Sequence, residues 1–305
     1  MLTFQEEFFL EETRCGFVVD QTMKTCWAAE MELLYDIDVI CEKYDIPYFV
    51  YYGSLLGAVR HSGFIPWDDD IDIALLREDY EKLMSVLPGE LPAGYIVHNP
   101  LADDENGEYW GSVVNSDCIS IEPGRLQKFH GCPFMVGIDI YPLDFVPRDE
   151  KAKEEIKQKF HLVWTTCRMA KNPDRSAEEE KDFQILLKEV ENRCGVSLDK
   201  ENGLVGRLVR LANQIAASVK ETDGDEIGMY IDVAYRPKGY VSKECFAEID
   251  WMPFENIFVP VAHGYDEILT LIYGDYMEPV CGAQSHNYPF YKAQLEMLRQ
   301  MVNHF

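Results

Sequence analysis

The chain has 305 residues, of which 47% are hydrophobic and 12% aromatic, and this composition excludes general disorder. A chain of this length buries about three quarters of its unfolded surface, enough for one large domain or for one domain with a sizeable insertion. The formal net charge of −26 argues against a nucleic-acid backbone as the main partner, because clustered Lys and Arg supply such binding. An anionic nucleotide substrate would therefore need a metal ion to mask the local charge.

The cysteine pattern and the hydropathy of the chain indicate the cellular compartment. The nine cysteines form no Cys-x-x-Cys pair or Cys/His cluster with zinc spacing, and we interpret most of them as small buried side chains in a reducing environment. The first 20 residues contain five carboxylates and do not resemble a signal peptide, and no apolar run is long enough to span a bilayer. We therefore expect a cytoplasmic protein without a transmembrane segment, either free or peripheral at the inner face of the membrane.

Hydrophobic periodicity predicts helices and strands that are mixed along most of the chain. Apolar residues at helical spacing, with breaks at Gly or Pro, predict helices at residues 22–44, 55–60, 77–87, 149–171, 177–194, 201–218 and 264–273. Aromatic and β-branched runs predict strands at residues 48–52, 70–76, 95–97, 109–114, 134–144, 229–234, 240–241, 251–254 and 257–261. We interpret the helix at 22–44 as a core helix without a functional role. The highly charged helices at about 148–220 predict a helical subdomain or insertion.

An acidic run between the second and third predicted helices carries the strongest chemical signal. In an extended strand, side chains alternate between faces, so Asp70 and Asp72 point the same way with Ile71 and Ile73 packed behind them. Like charges that lie this close repel unless a cation separates them, and carboxylate oxygens suit Mg²⁺. A bare Asp-x-Asp is more often a solvated loop, but the interleaved isoleucines are typical of a buried strand and favour a metal site. By the same alternation, Asp69 should point away from the metal.

Two further features extend this site. Asp139 repeats the pattern of a carboxylate within an apolar strand, so it is either a third carboxylate of the metal site or a hydrogen-bonded core residue. Gly53 and Ser54 are predicted to form a turn before the short helix at 55–60. Their backbone N–H groups could approach phosphate oxygens closely, and the helix N-terminus would add favourable partial charge.

Several blocks of the sequence together resemble a known family. They are Gly53-Ser54-Leu55-Leu56-Gly57, Arg60, the run from Gly63 to Asp72, the run from Ile138 to Asp144, and the blocks 265–269 and 273–277. These blocks resemble the LicD family of phosphocholine transferases, to which fukutin and fukutin-related protein are also related. The resemblance implies an α/β (α+β) fold of the nucleotidyltransferase, polymerase β-like type, with a mixed sheet flanked by helices. It also implies one LicD-like domain over residues 1–305 that carries the helical insertion.

The resemblance implies an enzyme that transfers phosphocholine from CDP-choline to a hydroxyl of a cell-surface glycan or its precursor, such as lipopolysaccharide or teichoic acid, and releases CMP. Such a transfer requires the protein mainly to position the substrates and to neutralise the charge of the phosphates. Asp70 and Asp72 would hold one or two Mg²⁺ ions, with Mn²⁺ as an alternative and Asp68 as a further ligand. Asp139 would complete the metal shell or accept the proton of the acceptor hydroxyl.

The same resemblance suggests substrate contacts. Gly53 and Ser54 would bind phosphate oxygens, as would Arg60, whose alternative role is an ion pair with one of the aspartates. His286 would contact phosphate or acceptor, although a histidine in a polar tail is more often a surface residue. A choline ammonium needs aromatic faces, and the candidates by position are Trp67, Tyr109, Trp110 and Tyr141, each with core packing as the alternative.

Two other functions remain open from the sequence. The same fold could use another nucleotide-activated donor, such as CDP-ribitol or CDP-glycerol. The acidic cluster could also belong to a non-catalytic module that binds a cation or a basic partner surface. For an enzyme, we assign acceptor recognition to residues 148–220, because this region is the least similar to the family.

Overall fold

A computed structural model describes residues 1–103, 107–198, 203–280 and 289–303. Ten α-helices are present within these ranges: α1 (Gln21–Tyr44), α2 (Tyr52–His61), α3 (Arg77–Glu90), α4 (Pro123–Lys128), α5 (Glu150–Ala170), α6 (Ala177–Cys194), α7 (Leu204–Ala216), α8 (Tyr230–Tyr235), α9 (Tyr265–Tyr273) and α10 (Tyr291–Asn303). The same ranges contain eleven strands: β1 (Glu12–Arg14), β2 (Phe17–Val19), β3 (Phe49–Val50), β4 (Ile71–Leu76), β5 (Ile96–His98), β6 (Gly111–Val114), β7 (Gly137–Pro147), β8 (Gly224–Gly228), β9 (Val241–Ser242), β10 (Ile249–Phe254) and β11 (Ile257–Ala262). The predicted α/β class is confirmed.

The chain forms two compact units. The first comprises Met1–Val97, Ser112–Ile140 and Glu248–Phe305, and the second comprises His98–Gly111 and Tyr141–Ala247. Helices α5, α6 and α7 fall in the second unit together with β8 and β9. The prediction of a single domain with a helical insertion at about 148–220 stays a prediction.

The first unit is built on a mixed sheet in which the strands follow the order β3-β4-β7-β6-β5. Strands β3 and β4 pair antiparallel, and β10 and β11 form a separate antiparallel hairpin that turns at Glu255 and Asn256, as predicted. Helix α1 supplies much of the core of this unit, since Trp27, Met31 and Leu33 are fully buried. This arrangement is consistent with a nucleotidyltransferase-type fold.

The second unit has a helical core. Helix α5 packs against α6, α7 and α8, and the ring of Tyr109 lies between Phe160 at 5.3 Å and Trp164 at 5.9 Å. Helix α6 begins with a capping box between Ser176 and Glu179 and ends at Gly195 in the left-handed conformation. These local signals explain why the predicted bounds of this helix, 177–194, match the observed ones.

Two predicted elements are wrong. Residues 229–234 were predicted as a strand, but this segment begins helix α8, in which Tyr230 and Val233 are buried one turn apart. The β-branched and aromatic composition is outweighed there by packing of the Tyr230 ring on Phe160 at 5.4 Å. The predicted turn at Gly53 and Ser54 is also wrong, because α2 already begins at Tyr52 and both residues lie in its first turn.

Hydropathy along the helices bears on membrane insertion. Among the described residues, no helix combines the length and the apolar character that crossing a bilayer requires.

Candidate active site

The acidic loop between α2 and β4 is held in place by helix α1. The Nε1 atom of Trp27 donates a hydrogen bond of 3.0 Å to the backbone carbonyl of Asp68. The indole ring of Trp27 also stacks on Phe64 with 4.6 Å between ring centroids and an interplanar angle of 1°. A helix that the sequence alone left without a functional role therefore positions the most acidic segment of the chain.

Three consecutive aspartates form the acidic cluster, a name used below for Asp68, Asp69 and Asp70. One carboxylate oxygen from each lies within 4.8 Å of the others. The expectation that Asp69 points away is wrong, because β4 begins only at Ile71 and the alternation of a strand does not apply to the loop before it. The Asp69 carboxylate is fully buried and accepts a hydrogen bond of 2.6 Å from the backbone N–H of Phe290.

A fourth carboxylate, Glu30 of α1, lies beside the acidic cluster, and the sequence analysis missed it. Its side chain is 1% exposed, and burial raises the pKa of its carboxyl group well above the usual value. The negative charges of Asp70 and Asp69 raise this pKa further. A signal was available, because Glu30 interrupts the buried apolar face of α1 one turn after Trp27.

The electrostatics of Asp68 follow the same pattern. Burial raises the pKa of its carboxyl group well above the usual value, and the charges of Asp70 and Asp69 add to the effect. Several carboxylates are thus crowded into a poorly solvated space, where a nearby positive charge would stabilise their ionised forms.

Helix α2 brings its first turn against this cluster. A Cβ atom on Gly53 would overlap with Oδ2 of Asp68, so only glycine permits this approach. The hydroxyl of Ser54 is 3% exposed and accepts a hydrogen bond of 2.8 Å from the backbone N–H of Asp72. The Ser54 side chain therefore ties α2 to β4.

Of the three carboxylates predicted on strands, Asp72 and Asp139 lie on neighbouring strands of the sheet, whereas the placement of Asp70 on a strand is wrong because β4 begins at Ile71. Asp72 on β4 is 8% exposed, and its carbonyl accepts a hydrogen bond of 2.9 Å from the N–H of Tyr51. Asp139 on β7 is half-buried between Ile138 and Ile140, which are fully buried. Neither belongs to the group with oxygens within 4.8 Å of one another, which within the described ranges consists of the acidic cluster.

Arg60 and Trp67 lie on either side of the same loop. Arg60 donates hydrogen bonds to the carbonyl of Tyr276 at 2.7 Å and to Nε2 of His61 at 3.0 Å, so it connects α2 to a second family-like block. Trp67 is half-buried, with the ring of Phe17 at 6.3 Å and that of His61 at 6.4 Å, both edge-on. The aromatic surroundings of Trp67 keep it as a candidate for an ammonium group.

The remaining predicted substrate contacts are His286 and three aromatic residues, Tyr109, Trp110 and Tyr141. His286 lies outside the described residues. Tyr109 is fully buried in the core of the second unit, which is the packing role kept as its alternative. Trp110 and Tyr141 form a tilted pair of rings 5.2 Å apart in the same unit.

A carboxylate on the hairpin fixes the loop that leads into the acidic cluster. Glu255 receives both terminal nitrogens of Arg14, at 2.5 and 2.9 Å, and the N–H of Phe64 at 3.2 Å. The backbone N–H of Glu255 donates a hydrogen bond of 2.8 Å to the carbonyl of Ser62. The turn of the hairpin thereby holds residues 62–64, a role that only the folded chain reveals.

The residues of this site fit a divalent cation. The acidic cluster offers several oxygen donors within reach of a single ion, which is the donor set that Mg²⁺ and Mn²⁺ prefer. Oε2 of Glu30 is buried and has no hydrogen-bond partner among the described residues. A buried carboxylate oxygen without a partner is unfavourable unless a cation or a donor compensates it.

The fold and the acidic site define a protein of nucleotidyltransferase type, and comparison with known proteins places it more closely. A family model described as the LicD/FKTN/FKRP nucleotidyltransferase domain matches residues 45–169. The lipopolysaccharide cholinephosphotransferase LicD of Haemophilus influenzae is 30% identical over 242 residues, which cover 78% of this chain and 85% of that protein. The chain belongs to the LicD family, as the sequence motifs predicted.

Two further relatives cover shorter segments. Human ribitol 5-phosphate transferase FKRP is 30% identical over 150 residues, which cover 46% of this chain and 27% of that protein. An uncharacterised protein of Rickettsia prowazekii is 44% identical over 66 residues, which cover 22% of this chain and 25% of its own. The named relatives transfer substituted phosphate groups, and the prediction that this chain is an enzyme of that class is confirmed.

Proposed function

We propose that this enzyme transfers phosphocholine from CDP-choline to a hydroxyl of a cell-surface glycan or its precursor, in a reaction that depends on a divalent cation and releases CMP. The observation that carries the proposal is the acidic cluster packed against the first turn of α2. A helix N-terminus beside a cation site provides two kinds of positive potential for a diphosphate. The relative named as a lipopolysaccharide cholinephosphotransferase, matched over 85% of its length, supports the choice of transferred group and acceptor.

The acidic cluster would hold Mg²⁺ or Mn²⁺, with Asp72 and Asp139 on the neighbouring strands as further candidate ligands. When bound, such an ion would neutralise the charge of the diphosphate and of the departing CMP. The protein itself contributes rigidity. Trp27 and Glu255 hold the loop on both sides of Phe64, so the carboxylates are positioned before substrate arrives.

The chemical step is a substitution at phosphorus. The acceptor oxygen forms a new bond to the choline-bearing phosphorus, the P–O bond to the bridging oxygen breaks, and CMP leaves with that oxygen. We assign the proton of the acceptor hydroxyl to Asp139, a half-buried carboxylate on the strand next to β4. The backbone of Gly53, which approaches Asp68 without a side chain, would orient the phosphate oxygens.

A second candidate keeps the chemistry and changes the donor. The match to a ribitol 5-phosphate transferase supports transfer of a polyol phosphate, carried for instance by CDP-ribitol or CDP-glycerol, as this second candidate. Thermal unfolding with each CDP conjugate and Mg²⁺ distinguishes the two, because a ligand raises stability according to its affinity. Stabilisation by CDP-ribitol or CDP-glycerol, with none by CDP-choline, would replace the first proposal by the second.

The activity test uses the purified protein with CDP-choline, MgCl₂ and candidate glycan acceptors, and it measures CMP release. We expect activity that a chelator abolishes and Mg²⁺ restores, and a loss of about 10²-fold or more in Asp70→Asn, since one misplaced charge-stabilising group costs about this much. Asp182→Asn, on the exposed face of α6, serves as the matched control and should keep full activity. If Asp70→Asn is as active as the wild type, the assignment of the site is wrong.

A further inference from the structure

We propose that Glu30 of helix α1 supplies a carboxylate to the divalent-cation site formed by the acidic cluster. The proposal rests on the metal dependence proposed above and adds a ligand from outside the acidic loop.

Helix α1 presents one face to the acidic loop. Trp27 donates its hydrogen bond to the carbonyl of Asp68, and Glu30 follows one helical turn later, on the same face. The charged groups that act on Glu30 most strongly are the carboxylates of Asp70 and Asp69. The Glu30 side chain therefore lies near the acidic cluster, although 38 residues separate it from Asp68 in the sequence and it is not one of the carboxylates with oxygens within 4.8 Å of one another.

Within the described part of the chain, one oxygen of the Glu30 side chain, Oε2, lacks the hydrogen-bond partner that a structural carboxylate normally has. The side chain is 1% exposed, and no described residue donates a hydrogen bond to its Oε2. Carboxylates are almost never buried unless they are paired or coordinate a metal ion. Because the charges of Asp70 and Asp69 act on Glu30, a cation among the carboxylates is a partner that this arrangement can accept.

Glu32 shows what a structural glutamate looks like on the same helix. Its side chain is fully buried as well, but it accepts from the N–H of Leu2 at 2.8 Å and contacts Lys128 at 3.1 Å and Nε2 of His130 at 2.9 Å. Helix α1 thus carries two buried carboxylates two residues apart. The carboxylate of Glu32 has three donors, whereas Oε2 of Glu30 has none among the described residues. This contrast makes Glu32 the matched control for Glu30.

The test measures binding of Mn²⁺ alone to the full-length protein, by the loss of the electron paramagnetic resonance signal of the free ion and by calorimetry. The variants are Glu30→Gln, Glu30→Asp, Glu32→Gln and Asp70→Asn. We expect Glu30→Gln to bind Mn²⁺ about 10–100-fold more weakly than the wild type, as is typical when a residue that supports a metal site is replaced. The Mn²⁺ affinity of Glu30→Asp should lie between those of the wild type and Glu30→Gln. Glu32→Gln should bind Mn²⁺ as tightly as the wild type does.

Thermal unfolding without metal separates these effects from misfolding. Glu30→Gln should be at least as stable as the wild type, because it replaces a buried carboxyl group whose Oε2 has no hydrogen-bond partner within the described ranges, whereas Glu32→Gln should be less stable because Lys128 and His130 lose their partner. If Glu30→Gln binds Mn²⁺ as tightly as the wild type while Asp70→Asn does not, the inference about Glu30 is wrong and the proposed function stands.

If neither the wild type nor any variant binds Mn²⁺, or if Asp70→Asn binds normally, the proposed metal dependence itself fails and the role of Glu30 fails with it. Should Glu30→Gln not fold, Glu30→Asp decides the matter. Unchanged Mn²⁺ affinity in that variant, whose carboxylate is withdrawn by one methylene, would overturn the inference.

Discussion

Replacement of Ser54 by alanine is the sharpest test of how the site is built. The Ser54 hydroxyl is buried, and it accepts the backbone N–H of Asp72 at 2.8 Å. In Ser54→Ala this N–H has no acceptor and no access to water at a position next to the acidic cluster. An unpaired buried donor costs about 1–3 kcal/mol, so we expect the free energy of unfolding to fall by about 2 kcal/mol.

Urea unfolding followed by circular dichroism measures this change. With a denaturant slope of about 2 kcal/mol per molar urea, a loss of about 2 kcal/mol moves the midpoint of the transition down by about 1 M, with the slope unchanged. Ser85→Ala is the matched control, because the Ser85 hydroxyl is exposed and donates to the carbonyl of Lys82 on the same helix. That change should stay within about 0.5 kcal/mol.

A different outcome would restore the role that the sequence suggested for Ser54. If Ser54→Ala unfolds at the wild-type urea concentration but raises KM for CDP-choline, the hydroxyl binds phosphate and its contact with Asp72 is dispensable. A loss of stability without a specific rise in KM supports the structural role. Both measurements use the same two purified variants, so the alternatives are compared directly.

Three further predictions concern packing, an ion pair and thiol reactivity. Gly57→Ala should destabilise the protein by about 1–3 kcal/mol in urea unfolding, because the new Cβ would overlap with the backbone carbonyl of Gly63. Arg14→Met should cost about 3 kcal/mol, because it leaves the carboxylate of Glu255, 6% exposed, without its cation. Iodoacetamide at pH 8, read by mass spectrometry, should label the exposed thiols and spare the buried ones, which within the described ranges are Cys26, Cys41, Cys132, Cys167 and Cys245.

Each of these predictions has a control. Gly89→Ala, where a Cβ meets open space, should leave stability unchanged or raise it slightly. Lys43→Met breaks an ion pair whose lysine is 56% exposed, and it should cost about 1 kcal/mol or less. Burial raises the pKa of Cys41 to about 12, so rapid labelling of Cys41 in the folded protein would contradict the described packing.

The sequence alone determined the features that depend on neighbouring residues. Helix α6 was predicted with its observed bounds because its capping box and its terminal glycine are local signals. The hairpin around Glu255 followed from two apolar runs and a short polar turn. The run Asp68 to Asp72 indicated a cation site because Asp70 and Asp72 alternate with isoleucines typical of a buried strand, and the surrounding motif resembles the LicD family.

Only the tertiary structure decided which carboxylates share the site. Strand alternation assigned Asp69 to the wrong face, because the position at which β4 begins depends on its pairing with other strands. Helix α1 brings Glu30 near the acidic cluster because it packs on a loop that lies 38 residues further along the chain. The segment 229–234 became a helix because its buried face packs on α5. In each case the deciding contacts join residues distant in sequence, and local propensity is too weak to compete with their packing.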